Sequence, residues 1–186
     1  METPLPVALE EAGAAVAGGL LYVLGGFDAA GNSLRTVWVF DGSTWSAGPK
    51  LPIGLDHTSA ATLDDHVYLA GGHSFGRDSG RLFRLDGSSW TELSPMPHPR
   101  GGHALLAAGN RLFVIGGNTA LANVAPTDVY DPVTGSWSAF PALPAPRNHV
   151  AGFTYANSVC VAGGRSPATP RVDCFDLASA AWVRFP

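Results

Sequence analysis

A double glycine recurs four times along the chain, at Gly25-Gly26, Gly71-Gly72, Gly116-Gly117 and Gly163-Gly164. The steps between the pairs are 46, 45 and 47 residues. A tryptophan follows each pair at a similar distance: Trp45, Trp90, Trp137 and Trp182. A period of this length marks one supersecondary unit copied along the chain, and such copies must stack to bury a shared core. The shape of the copied unit therefore decides the fold before any single residue does.

Each unit carries four pieces. A small apolar run comes first: Ala12–Ala17, Thr58–Leu63, Ala104–Ala108 and Val150–Tyr155. A short polar or glycine turn leads to a second run that ends on the double glycine, as in Leu112-Phe113-Val114-Ile115-Gly116-Gly117. A third run ends on an aspartate (Asp41, Asp86, Asp131, Asp176), and the fourth opens with the tryptophan. These runs are too short for helices, rich in β-branched and aromatic residues, and bounded by turn formers, so they read as strands. Leu51-Pro52, Met96-Pro97 and Leu143-Pro144 close three units, because proline stops a strand and stiffens the link to the next. Four short antiparallel strands per repeat make a blade of a β-propeller. The expected fold is all-β: one domain, residues 1–186, of four blades of four antiparallel strands, at approximately 5–50, 51–96, 97–143 and 144–186.

Composition narrows the partners. The net charge is −4, which gives no electrostatic case for nucleic acid. The longest apolar stretch, residues 12–27, is broken by glycines and is shorter than the about 20 residues of a helical membrane span. It follows Glu2, Glu10 and Glu11 rather than a basic segment, so it does not read as a secretory signal, and a cytoplasmic location is favoured. Cys160 and Cys174 both lie in the last unit. A bridge between adjacent strands is conceivable; two small buried hydrophobes is the favoured reading.

The composite pattern resembles the kelch repeat: an apolar strand, Tyr-x-x-Gly-Gly, Tyr-Asp-Pro or a variant, Trp, then Leu-Pro or Met-Pro with Arg and His beyond. The third unit matches best, with Ile115-Gly116-Gly117, Val129-Tyr130-Asp131-Pro132, Trp137, Leu143-Pro144, Arg147 and His149. The first unit departs from it, with Leu9 and Glu11 in place of Arg and His. Kelch propellers usually have six or seven blades and this chain supplies four, which leaves three arrangements: closure alone, pairing with another chain, or part of a larger ring. An open ring would expose its end faces and favour self-association.

The resemblance implies that the first strand of each blade lines a central channel and that the loops after the double glycines share one face. Those loops, Phe27–Arg35, His73–Arg81, Asn118–Thr127 and Arg165–Arg171, are the most variable part of the repeat, and binding usually resides in such loops. The expected binding face comprises Phe27, His73, Phe75, Arg77, Arg81, Arg100, Asn118 and Arg147, and the expected ligand is a protein or peptide. A row at the channel, Glu11, His57, His103 and His149, is spaced 46, 46 and 46. Three imidazoles and a carboxylate form a competent metal set if they converge, although hydrogen bonding between blades is the favoured reading of them and no metal or cofactor is expected. The alternative function is a mutarotase-like enzyme or a sugar-binding domain, using His57, His103, Arg100 and Arg147 at the channel mouth. Neither cysteine offers Tyr155 the cross-link of a copper radical oxidase, and no nucleophile elbow or phosphate loop occurs.

Overall fold

The computed structural model describes residues 3–185. Blade one is built from β1 (Gly13–Ala17), β2 (Leu20–Leu24), β3 (Val37–Phe40) and β4 (Trp45–Ala47). Blade two holds β5 (Ser59–Leu63), β6 (His66–Ala70), β9 (Leu82–Asp86) and β10 (Ser89–Leu93). A two-stranded hairpin, β7 (His73–Ser74) and β8 (Arg77–Asp78), interrupts it. Blade three holds β11 (Gly101–Ala108), β12 (Arg111–Asn118), β13 (Thr127–Asp131) and β14 (Ser136–Phe140). Blade four holds β15 (Ala151–Tyr155), β16 (Ser158–Ala162), β17 (Val172–Asp176) and β18 (Ala181–Arg184). Each blade is an antiparallel meander, and no helix occurs among the described residues. The first strands of successive blades are neighbours, as they must be around a shared axis. The molecule is a four-blade propeller.

Blades pack face to face because alternate residues of a strand point to opposite sides. Val67, Leu69, Phe83 and Leu85 of blade two join Ala15, Leu24 and Val37 of blade one in one core cluster. Tyr68, Ala70 and Leu82, on the opposite side of the same blade, join Leu105, Leu112 and Tyr130 of blade three. Blades three and four share Phe113, Ile115 and Val129 with Val159, Val161 and Phe175. The residues before the prolines, Leu51, Met96 and Leu143, are buried in these seams. Each fully buried Leu or Phe contributes about 1.5–3 kcal/mol of transfer free energy.

Two recurrent residues stitch the seams. Each tryptophan indole N–H donates to a carbonyl about one repeat earlier: Trp45 to Thr3, Trp90 to Pro49, Trp137 to Ser94 and Trp182 to Pro141. The second glycine of three pairs donates its N–H to the following blade: Gly26 to Leu55, Gly72 to Arg100 and Gly117 to Arg147. At Gly72, φ is +95° and a Cβ would stand 2.4 Å from the carbonyl oxygen of Asp56. No other residue type fits so close an approach.

Among the described residues, the outer sides of blades one and four join none of the three hydrophobic core clusters. In blade four the row Phe153, Cys160, Cys174 and Val183 is in register across all four strands. Phe153, Tyr155, Val183 and Phe185 are exposed there. Val16 is exposed on blade one, and no hydrophobic cluster joins blade four to blade one among the described residues. Cys160 and Cys174 are directly opposite each other and form a disulfide, contrary to the favoured reading of two reduced side chains. Their burial agrees with that reading; the cross-strand register that joins them depends on the exact pairing of β16 with β17.

Candidate functional site at the channel mouth

The site begins with a backbone chain that links all four blades. His57 N–H donates to the Glu11 carbonyl (2.9 Å), Gly102 N–H to that of His57 (2.8 Å), and His149 N–H to that of Gly102 (2.6 Å). Glu11, His57, Gly102 and His149 are equivalent positions, each fifteen residues before the second glycine of its pair. All four adopt left-handed backbone, with φ of 52°, 50°, 61° and 50°. Glycine meets that conformation freely, whereas a side chain there costs roughly 1–2 kcal/mol. Three blades nevertheless carry one.

His103 is not the third member of this row. It lies one residue beyond Gly102, where the other blades have Ala12, Thr58 and Val150. Its ring is buried between blades, packed against Gly71 and Gly117, and neither ring nitrogen makes a well-formed hydrogen bond. Burial, reinforced by the charges of Arg100 and His73, lowers its pKa from 6.5 to about 3. The nearby Ala70 backbone favours the charged form too weakly to offset this.

The remaining three side chains converge. Glu11 Oε1 stands 3.9 Å from His57 Nε2 and 3.6 Å from His149 Nε2. The His57 and His149 ring centroids are 5.0 Å apart, edge to face. His57 Nδ1 is 2.7 Å from Asp56 Oδ1, and the Asp56 carboxylate accepts from the Ser33 hydroxyl. Ser33 Oγ in turn accepts the Phe75 N–H at 3.0 Å, which connects the imidazole to the β7–β8 hairpin. His149 Nδ1 faces Asn148 Oδ1, and the Asn148 amide donates to Asn123. The Arg165 guanidinium lies on His149 Nε2. Burial is the main reason the His149 pKa falls below its usual value; Glu11 opposes the shift and Arg165 adds to it.

Beside this cluster is a pocket of about 380 Å³ lined by Phe27, Asp56, His57, His73, Phe75, Asp78 and Asn118, among others. Four expected binding residues, Phe27, His73, Phe75 and Asn118, meet here. Phe27 stacks on His57, and His73 Nδ1 lies 3.1 Å from Asp78. Asn118 Oδ1 is buried and has no hydrogen-bond partner among the described residues. Phe75 and Gly76 form the hairpin tip, both at positive φ (49° and 75°), the geometry of a tight two-residue turn. Phe75 is 76% exposed and projects over the pocket rim. Arg77 and Arg81 line the outer flank of the hairpin instead, with Arg81 paired to Glu92.

Arg100 and Arg147 do not reach the binding face. Both are fully buried between loop and sheet. Arg100 donates to the carbonyls of His98, Gly116 and Pro126 and to Asp128. Arg147 donates to Gly163, Ala145 and Val161 and pairs with Asp173 at 2.9 Å. Burial lowers the Arg100 pKa to about 10 despite Asp128. The constellation His57, His103, Arg100 and Arg147 that a sugar site would need is therefore not assembled at the mouth.

A family model described as the KLHDC2/KLHL20/DRC7 Kelch-repeats domain matches residues 1–164. The chain belongs to the kelch-repeat family. Among its kelch relatives, Kelch-like protein terF of Aspergillus terreus is 30% identical over 211 residues, covering 98% of this chain and 45% of that protein. Beta-scruin of Limulus polyphemus is 27% identical over 196 residues, covering 89% of this chain and 21% of that protein. Kelch-like protein 35 of Mus musculus is 29% identical over 143 residues, covering 74% and 25% respectively. The chain thus spans less than half the length of these kelch proteins.

Sequence reasoning about the kelch motif passed over Ser33, Asp56 and Asn148. Asp56 and Asn148 immediately precede His57 and His149, so an acceptor next to the histidine was the available signal. The hairpin was also signalled, by Gly76 after Phe75.

Proposed function

We propose that the protein is a peptide- or protein-binding scaffold that holds its partner on the loop face, with a hydrophobic side chain of that partner seated between Phe27 and Phe75. Kelch-repeat propellers commonly serve as protein-interaction scaffolds. The observation that carries the finer reading is Phe75, a large aromatic side chain held in the open by a turn of constrained backbone. Exposed aromatic anchors on rigid supports dominate binding energy at interfaces. His73 and Asn118 line the pocket beside that anchor and supply its polar contacts.

The test is selection of peptides from a displayed random library on this chain, followed by affinity measurement with variants. Phe75→Ala is expected to weaken the selected peptides at least ten-fold, about 1.4 kcal/mol or more. The far-UV spectrum should not change, since the side chain packs against little. Unaltered affinity in Phe75→Ala combined with Phe27→Ala would show that binding occurs elsewhere.

A further inference from the structure

We propose that Glu11, His57 and His149 form a binding site for one divalent transition-metal ion, with Zn²⁺ the ion their donor set suits. The ligand atoms of the three side chains all lie within 4.8 Å of one another, although they come from three different blades. Two donors on one tetrahedral zinc ion stand about 3.3 Å apart, given bonds of about 2.0–2.1 Å. The 3.6 Å and 3.9 Å separations from Glu11 Oε1 need only a small inward movement to match.

The surroundings orient the donors. Asp56 and Asn148 each present an oxygen to Nδ1 of the following histidine. Nδ1 must therefore carry the proton, which leaves Nε2 of each ring as the lone-pair nitrogen on the side of Glu11, with Arg165 also on that of His149. An imidazole whose far nitrogen donates to a carboxylate or amide oxygen is the usual arrangement around bound metal. These outer acceptors are themselves anchored: Asp56 by Ser33, Asn148 by Asn123, with Ser33, Asp56 and Asn148 all buried.

The backbone points the same way. Gly102 shows that the link between blades requires no side chain at this position. Glutamate and two histidines persist at the other three despite left-handed φ, and such outliers collect where a side chain has a task. Arg165 places its cation on His149 Nε2, so it competes with the ion for that lone pair. It extends from an exposed loop residue and is free to turn outward. Three protein ligands leave a fourth position for water or another small ligand. The proposal does not depend on the peptide reading.

Zn²⁺ titration of the whole chain by calorimetry, with Co²⁺ absorption as a second readout, tests it. One ion per chain is expected. His149→Ala and Glu11→Gln should each weaken binding, and Asp56→Ala should do so by roughly ten- to hundred-fold through loss of the outer hydrogen bond. Arg165→Ala should strengthen it, a gain that a merely structural cluster would not produce. Absence of stoichiometric binding in both the parent chain and Arg165→Ala overturns the proposal. So does binding that His149→Ala and Glu11→Gln leave intact, since the ion would then sit on exposed histidines such as His66 or His98. Glu11 is partly exposed, so its variant stays informative if a histidine variant folds poorly.

Discussion

Acidification from about pH 7 to about pH 5 is expected to cost the fold about 2 kcal/mol at His103 alone. The folded-state pKa of this imidazole is about 3, against 6.5 for the free side chain. Above 6.5 it is neutral in both states and contributes no pH dependence. Below that value the unfolded chain gains a proton that the folded chain refuses, so stability falls by about 1.4 kcal/mol per pH unit until the folded pKa is reached. For a domain of this size the loss corresponds to a decrease in Tm of roughly 4–8 °C over those two units. His103→Val, which installs the side chain that the fourth blade carries as Val150, removes the titrating group. Thermal unfolding of both proteins across this range checks the claim. The variant should show a visibly flatter profile below pH 6.5, and parallel profiles would refute a buried neutral His103.

Arg100→Leu is expected to destabilise the protein by about 3–5 kcal/mol, because it leaves the buried Asp128 carboxylate with only His98 beside it and removes the donor that the carbonyls of His98, Gly116 and Pro126 share. The repeat itself supplies the compensating change. In blade two the positions of Arg100 and Asp128 are occupied by Leu55 and Phe83, which belong to one apolar cluster. In blade four they are Arg147 and Asp173, again an ion pair. The double variant Arg100→Leu with Asp128→Phe should therefore recover most of the loss, since well-packed apolar pairs commonly equal buried ion pairs. Urea unfolding of the two single variants and the double variant closes the cycle. Additive losses would mean that the two side chains act independently. A loss of partner binding in Arg100 variants would then follow from unfolding, not from a lost contact.

The architecture was legible because its signals repeat. Three of the four glycine pairs, three of the four tryptophans and the three Leu-Pro or Met-Pro links reappear where the sheets meet. The site was legible only in part. That Phe27, His73, Phe75 and Asn118 line one pocket was foreseeable because variable loops on a regular frame draw attention. Arg100 and Arg147 misled because a long cationic side chain near a loop reads as surface, and only packing shows that it spans a sheet end.

His103 misled for a different reason. A uniform spacing of 46 matched it to His57 and His149, while the glycine pairs were already drifting to 45 and 47. Counting back from the glycines reaches Gly102. The disulfide partners were visible as a pair, but their state turns on cross-strand register, which composition does not encode.

The three core clusters each join two consecutive blades, so among the described residues the buried apolar surface is strung out along the chain and not pooled at one centre. Stability in such an arrangement is carried by successive interfaces, and a lesion in one of them is felt first by the two blades that share it.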